Sequence, residues 1–322
     1  MTELSATPAS TTAEARRGMV ASVHPAATQA GLAVLKNGGN AVDATVAVGL
    51  TLGVVDTDNS GIGGGCFMLI RRPDGSLVGI DGRETAPATA TTDMFLREGK
   101  ADTQLSQTGP LASAVPGALA AYEFAVGKYG KTSLKKLILP AADIARQGFI
   151  VDAAYAGTIA RVAEKLGRFP SSRAVFFKGD KPLVEGELLR QPDLAQTYEQ
   201  IGANGSAWFY RGPFADATAE WMKANGGLLS AEDFQKYSPQ TREPIKSSYR
   251  EHEIVSFPPP SSGGVHVLQI LNILEHFDLK QMDEATRLHV IAEAMKLAFA
   301  DRAHWLGDPD FVKVPRGLVD RA

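Results

Sequence analysis

Residues 59–87 of the chain read NSGIGGGCFMLIRRPDGSLVGIDGRETAP. Within this stretch, residues 66–71 and 77–81 are rich in Phe, Leu, Ile and Val, which favour strands. Residues 72–75 (RPDG) separate the two runs and are typical of a tight turn, because proline presets φ and glycine accepts a positive φ. The stretch therefore predicts an antiparallel β-hairpin, in which the first strand begins beside the end of the second.

The open end of the predicted hairpin combines glycines with a cation. Residues 63–65 (GGG) are expected beside Gly82, Arg83 and Glu84. Exposed backbone N–H groups and a guanidinium at one end of a sheet are suited to binding a carboxylate or a phosphate. Two plainer interpretations stay open at this point. The glycines only let two backbones approach, or Arg83 pairs with Glu84 or with an aspartate.

The composition is that of an ordinary globular protein. The 322 residues are 44% hydrophobic and 21% charged, enough to bury a sizeable core. A net charge of −3 gives no global attraction to nucleic acid or to an anionic membrane. No apolar run approaches the roughly 20 residues that cross a bilayer. Cys66 is the only cysteine, so no disulfide within the chain is expected, and we interpret it as a small hydrophobic residue in a strand.

The first residues have a different character. Residues 1–17 are polar, rich in Ser, Thr and Ala, and contain no apolar core of the kind found in a secretory signal. We interpret them as a flexible leader and residues 18–322 as one domain, and we expect a cytoplasmic protein. A periplasmic mature form recloned with a new Met1 would have the same sequence.

Helical patterns occur along the whole chain, whereas strand patterns occur in two pairs. Apolar periodicity, capping residues and terminal glycines predict helices. The predicted helices cover residues 24–36, 40–53, 116–130, 134–147, 193–201, 214–225, 265–274 and 284–305, with a short helix after Ser230. The predicted N-terminal caps are Asn40, Ser133 and Ser230. The last long helix carries an apolar stripe of Leu288, Ile291, Met295 and Phe299.

A second pair of strands is predicted at residues 245–249 and 253–257. Hairpins separated by groups of helices indicate an α+β fold, with an antiparallel sheet covered by helices. So few strands would leave the sheet incomplete. Something further is therefore expected to complete it.

The chain offers a binding arginine but no recognisable nucleophile. Its glycine run lacks the Lys-Ser/Thr of a phosphate-binding loop and precedes a strand, which disfavours nucleotide binding. The six histidines show no metal-ligand spacing, and there is no Gly-x-Ser-x-Gly elbow. We predict no metal and no cofactor. If the chain belongs to an enzyme, the reactive group is expected on another polypeptide.

Six segments resemble the large subunit of the γ-glutamyltransferase (γ-glutamyltranspeptidase) family of N-terminal nucleophile hydrolases. They occur in the family's order between Gly18 and Pro315. They read GMVASVHPAATQAGLAVLKNGGNAVDATVAVGL, SGIGGGCFMLI, IDGRETAPATATTDMFL, SAVPGALAAYEFAVGKYG, PPPSSGGVHVLQILNILE and AFADRAHWLGDPDFVKVP. The resemblance covers nearly the whole chain.

The resemblance implies a fold, a reaction and a partner. The family fold is an αββα sandwich, whose central sheets take strands from a large and a small subunit cut from one precursor. The nucleophile is the N-terminal Thr of the small subunit, and it takes up the γ-glutamyl group of compounds such as glutathione. The catalytic residue is therefore expected outside this chain. Neither a cofactor, nor nucleic acid, nor a membrane is expected to take part.

One binding residue carries over by its position in the family motif. The arginine that binds the α-carboxylate of the γ-glutamyl group corresponds to Arg83. A guanidinium can hold a carboxylate through two parallel hydrogen bonds, which fixes distance and orientation together. Glu84, Gly64 and Gly65 are candidate supporting residues.

The chain also departs from the family pattern near this arginine. Gly82 stands where many members have Phe, and Cys66 stands where a glycine is more usual. The reaction class is therefore better defined than the substrate. The alternative is a same-fold acylase or amidohydrolase for other carboxylate-bearing amides, of the glutaryl-cephalosporin, oxamate or poly-γ-glutamate type. A non-catalytic binding protein of the same fold is a further alternative.

Overall fold

The computed structural model describes residues 12–320 of the chain. Residues 1–11 of the predicted leader lie outside this range, and residues 12–17 contain no helix or strand. The described residues divide into two compact units. The first unit comprises the chain up to Gly64 together with Glu84–Tyr237. The second comprises Gly65–Arg83 together with the chain from Ser238 onward.

Helices dominate the described part of the chain, and its strands are short, with six residues at most. The helices are α1 (Pro25–Lys36), α2 (Ala41–Val55), α3 (Thr103–Gln107), α4 (Ala118–Tyr129), α5 (Leu134–Gln147), α6 (Ala153–Gly167), α7 (Pro170–Phe176), α8 (Pro192–Asn204), α9 (Ala207–Tyr210), α10 (Pro213–Ala224), α11 (Ala231–Lys236), α12 (Gly263–Leu274) and α13 (Glu284–Trp305). The strands are β1 (Cys66–Arg71), β2 (Leu77–Gly82), β3 (Leu96–Arg97), β4 (Lys100–Ala101), β5 (Phe149–Ile150), β6 (Phe177–Lys178), β7 (Lys181–Pro182), β8 (Leu188–Leu189), β9 (Gln240–Arg242), β10 (Ile245–Tyr249) and β11 (His252–Ser256). Short 3-10 helices cover Pro110–Ala112 and Arg316–Val319.

The first unit is built from helices packed on one another. Helix α2 packs against α1 and α5, and α5 packs against α8. Leu50, Ile138 and Ile201 are buried between these helices. Tyr198 is also buried, and its hydroxyl donates a hydrogen bond to the Leu50 carbonyl at 3.1 Å. Removal of this apolar surface from water is the main force that holds the helices together.

A buried carboxylate fixes the start of α2. The Asn40 side chain caps the helix, and Asp43 accepts the Asn40 N–H at 2.8 Å, which confirms Asn40 as the predicted cap. The same carboxylate accepts the backbone N–H groups of Lys131 and Thr132 at 3.0 and 3.3 Å. Asp43 is completely buried, so these donors compensate a charge that would otherwise be costly. The contact joins α2 to the turn between α4 and α5.

The second unit contains the one three-stranded sheet of residues 12–320. Strand β1 pairs with β2, and β2 pairs with β9, both antiparallel, while β10 and β11 form a separate hairpin. Helix α12 packs against β10, β11 and α13. Small strands of this kind, alongside many helices, confirm the predicted α+β class.

One predicted helix start and one predicted cap are wrong. The helix predicted from Pro116 begins at Ala118, and the N–H groups of Gly117 and Ala118 donate to the Gly64 carbonyl at 2.9 and 3.0 Å. Ser133 precedes α5 but makes no capping hydrogen bond through its side chain. Ser230 does form the predicted capping box. Helix α6 and the two-residue strands have no counterpart in the prediction.

The longest helix, α13, buries small residues and exposes large ones. Ala294 and Ala298 are buried, whereas Leu288, Met295 and Phe299 of the predicted apolar stripe are 58%, 42% and 51% exposed. Across the described range, no helix has the length and apolar character needed to cross a bilayer. The cytoplasmic location stays a prediction.

Candidate carboxylate-binding site

The hairpin predicted around the turn at residues 72–75 is confirmed. Its register runs from Cys66 opposite Gly82 to Arg71 opposite Leu77. Within the turn, the Arg72 N–H donates to the Ser76 carbonyl at 2.8 Å, and Gly75 has a φ of +83°. The register brings the residues just outside the ladder, Gly65 and Arg83, to the same end of the hairpin.

Arg83 lies immediately after β2 and is exposed to solvent. The central carbon of its guanidinium lies 5.8 Å from the centroid of the Phe67 ring. Phe67 in turn packs on Phe257, with ring centroids 4.4 Å apart. A cation over an aromatic face is attracted to the ring's quadrupole, which favours this orientation of the guanidinium. The hairpin therefore presents Arg83 on an aromatic support.

A buried aspartate holds the backbone on which Arg83 stands. One oxygen of Asp81 accepts the Arg83 N–H at 3.0 Å, and the other accepts Arg242 Nε at 3.1 Å. The two Nη atoms of Arg242 donate to the two oxygens of Asp310 at 2.7 and 2.6 Å. These last bonds raise the pKa of Arg242 and lower the pKa of Asp310, because each stabilises the charged form of both partners.

The boundary between the two units passes through the predicted supporting residues. Gly64 and Glu84 belong to the first unit, and Gly65 and Arg83 to the second. A Cβ atom at Gly64 would lie 3.4 Å from Glu84 Oε1, an ordinary contact distance. The Gly64 carbonyl receives the first N–H groups of α4, so Gly64 positions that helix. A role for Glu84, Gly64 and Gly65 beside a ligand stays a prediction.

The cysteine and the one buried histidine of residues 12–320 have plain structural surroundings. Cys66 is half-buried in β1, as expected for a small hydrophobic residue. His266 is buried on α12 and stacks on Phe299, with ring centroids 5.5 Å apart. Within residues 12–320 there is no group of three or more His, Cys, Asp or Glu side chains that could hold a metal ion.

Sequence reasoning missed Arg242 and Asp310. Arg242 is 161 residues from Asp81 along the chain, so no local pattern connects them. One signal was present: Asp81 is an acidic residue inside an otherwise apolar strand, and a buried carboxylate requires a cationic or hydrogen-bonding partner. That signal indicates that a partner exists but does not identify it.

Comparisons with known proteins agree with this architecture. The family model for gamma-glutamyltranspeptidase matches residues 27–322. The chain is 48% identical over 313 residues to the glutathione hydrolase proenzyme of Escherichia coli (strain K12), covering 96% of this chain and 54% of that protein. It is 42% identical over 320 residues to the acylase ACY 1 proenzyme of Pseudomonas sp. (strain SE83), covering 96% of this chain and 57% of that protein.

A solved structure extends the likeness to three dimensions. The Helicobacter pylori gamma-glutamyltranspeptidase structure matches with a TM-score of 0.93 and 41% identity, covering 96% of this chain and 90% of that chain. The fold is therefore that of the N-terminal nucleophile hydrolases, as predicted. Within that class, the chain belongs to the gamma-glutamyltranspeptidase family. It spans about half the length of the curated relatives it matches.

Proposed function

We propose that this chain is the large subunit of an autoprocessed γ-glutamyltransferase or glutathione hydrolase. The observation that carries the proposal is the family match over residues 27–322, which includes Arg83 at the exposed end of the hairpin. In this proposal the complete protein cleaves γ-glutamyl amides such as glutathione. Arg83 binds the α-carboxylate of the γ-glutamyl group.

The lengths of the relatives support a second chain. This chain covers 54% of the E. coli proenzyme but 90% of the solved H. pylori chain. A precursor cut into two polypeptides accounts for both figures. The exposed apolar residues of α13 also favour a partner, because large apolar patches on a surface commonly mark interfaces. We take that partner to be the small subunit of the same precursor.

The chemistry divides between the two subunits. The N-terminal Thr hydroxyl of the small subunit attacks the γ-carbonyl carbon, and the amine leaves with a proton to give a γ-glutamyl ester on Thr. Water or an amino group then cleaves the ester and regenerates the hydroxyl. Arg83 takes part in binding and orientation. Two parallel hydrogen bonds to the α-carboxylate place the γ-carbonyl at a fixed distance from the nucleophile.

A second candidate is an acylase for other carboxylate-bearing amides. The 42% identity to an acylase proenzyme over 96% of the chain supports this second function. A guanidinium recognises a carboxylate in either kind of substrate, so Arg83 does not separate the two functions.

Two substrates that differ in one group distinguish the γ-glutamyltransferase from the acylase. We would express the complete gene product and measure kcat/KM for γ-glutamyl-p-nitroanilide and glutaryl-p-nitroanilide, which differ in the α-amino group alone. A strong preference for the γ-glutamyl compound is expected. Equal or better turnover of the glutaryl compound would indicate the acylase, and no turnover of either by self-cleaved protein would contradict both proposals.

A further inference from the structure

The hydrogen bonds behind Arg83 form one connected series. Asp310 is joined to Arg242, Arg242 to Asp81, and Asp81 to the backbone of Arg83. We propose that Asp81, Arg242 and Asp310 are positioning residues that set the substrate affinity of Arg83. The inference rests on the proposed function, because it assigns these residues to the site that Arg83 would form.

The first step is the orientation of Asp81. Its side chain is buried, with 6% exposure, so its charge needs compensation within the protein. One oxygen accepts the Arg83 N–H and the other accepts Arg242 Nε. With both oxygens engaged, the carboxylate is fixed in the orientation that holds the backbone at Arg83. This backbone has already left the β-ladder, since the pairing of β1 with β2 ends at Gly82.

The second step is that the hydrogen bonds made at position 242 require an arginine. Its Nε faces Asp81, while Nη1 and Nη2 face Asp310. One planar guanidinium therefore donates hydrogen bonds to two carboxylates, one through Nε and the other through its two Nη atoms. A lysine could not do this, because an ammonium group has no fixed fork geometry. The bond between Arg242 and Asp81 is well shielded from water, because the two side chains are 17% and 6% exposed, whereas Asp310 is 49% exposed.

The third step concerns competition. Phe67 lies directly opposite Asp81 in the pairing of β1 with β2, and the Arg83 guanidinium lies over the Phe67 ring, so Asp81 and the Arg83 guanidinium are near the same residue. If Asp81 lost Arg242, its carboxylate could turn towards the Arg83 guanidinium. It would then compete with a substrate carboxylate for the same donors. Arg242 prevents this by holding Asp81, and Asp310 holds Arg242 in turn.

The test is a double-mutant cycle in the complete, self-cleaved protein. Asp310→Asn removes one charge from a side chain that is 49% exposed, so folding is expected to survive. We expect Asp310→Asn to raise the KM for γ-glutamyl-p-nitroanilide by about tenfold and to change kcat by less than about threefold, since small misplacement of a binding group costs up to about a hundredfold. In an Arg83→Ala background, Asp310→Asn is expected to have no further effect on kcat/KM.

The outcomes separate the inference from the function it rests on. An equal effect of Asp310→Asn in both backgrounds, or none in the native one, would overturn the inference. If Arg83→Ala itself leaves kcat/KM unchanged, the assignment of Arg83 fails first. Asp180→Asn is the matched control, because Asp180 pairs with Arg173 at 2.6 Å in an exposed position of the first unit. Should Asp310→Asn give no self-cleaved protein, Arg242→Lys carries the same test.

Discussion

Gly79 lies directly opposite Arg242 in the pairing of β2 with β9, and a Cβ atom at Gly79 would be 2.8 Å from the Arg242 carbonyl oxygen. Real Cβ atoms do not approach backbone atoms this closely, so any side chain at position 79 must displace β9. We expect Gly79→Ala to lower the free energy of unfolding of the complete protein by about 1–3 kcal/mol, the usual cost of overpacking. Urea unfolding measures this.

Gly127→Ala is a control in which the free energy of unfolding is expected to change in the opposite direction. Gly127 lies within α4, and a Cβ atom there would have no neighbour within 4 Å. Alanine in a helix interior is more favourable than glycine by about 0.5–1 kcal/mol, so this variant is expected to be slightly more stable. If both variants unfolded at the same urea concentration as the wild type, the close approach of β2 and β9 would be contradicted.

Arg83→Ala is predicted to weaken the use of carboxylate-bearing substrates. Loss of one partner of a desolvated charge pair costs about 2–5 kcal/mol, which corresponds to about 30-fold to several thousandfold in kcat/KM. The kcat/KM of Arg83→Lys should lie between those of Arg83→Ala and the wild type, because an ammonium group keeps the charge but cannot form the two parallel hydrogen bonds of a guanidinium. The measurement is steady-state kinetics with γ-glutamyl-p-nitroanilide.

A substrate without the carboxylate is the control for Arg83. 4-Aminobutyryl-p-nitroanilide keeps the amino group and the amide, so its kcat/KM should not change in Arg83→Ala. Self-cleavage of the precursor should also survive, since it involves no substrate carboxylate. An unchanged KM for the γ-glutamyl compound would rule out the assignment.

Local chemistry made part of this fold predictable. The turn at residues 72–75 and the capping boxes at Asn40 and Ser230 are confirmed, because each depends on residues close together in the chain. The start of α4 could not be predicted in this way. Its first N–H groups are satisfied by the Gly64 carbonyl, a tertiary partner that replaces a local cap.

In the candidate site, too, features set by neighbouring residues could be predicted and tertiary contacts could not. The position of Arg83 at the end of the hairpin follows from the strand-favouring residues and the turn chemistry within residues 59–87. The series from Asp81 through Arg242 to Asp310 links three segments, and the last two partners are 68 positions apart in the chain. Such pairings are decided by the packing of the whole second unit, and a single sequence carries no record of them.

Asp43→Ala is predicted to destabilise the first unit strongly. The change removes the acceptor for the N–H groups of Asn40, Lys131 and Thr132. A donor left without a partner costs about 1–3 kcal/mol when it is buried, and these three N–H groups form part-buried hydrogen bonds, so we expect a loss of roughly 2–3 kcal/mol. Urea unfolding of the complete protein checks this, with Asp93→Ala at an exposed position as control. Equal stability of the two variants would contradict the role of Asp43.

The ion pair of Asp310 with Arg242 is predicted to make stability depend on acid pH. Hydrogen bonds from Arg242 lower the pKa of Asp310 below its ordinary value of 3.8. A carboxyl group whose pKa is lower in the folded protein contributes stability above its unfolded pKa, and this is lost as pH falls through the folded pKa. The stability difference between wild type and Asp310→Asn should therefore be constant at neutral pH and shrink below about pH 4.

Thermal unfolding at a series of pH values measures that difference. Asp180→Asn, which removes the same charge from an exposed pair with Arg173, is measured in parallel. A difference between wild type and Asp310→Asn that persists undiminished to pH 2 would show that the charge on Asp310 is not its source.

The exposed stripe of α13 is predicted to be buried in the complete protein. Leu288 and Met295 are 58% and 42% exposed, while the same helix buries Ala294 and Ala298. Fully burying a Leu or Met side chain is worth about 1.5–3 kcal/mol, and about half of that surface is still exposed in this chain. Leu288→Gln and Met295→Gln should each lower the stability of the self-cleaved protein by about 1–2 kcal/mol. Val184→Gln, at a position that is 57% exposed in the first unit, should change it by less than about 0.5 kcal/mol. If the α13 variants were as neutral as Val184→Gln, the stripe would face solvent in the complete protein, and the small subunit would have to bind elsewhere.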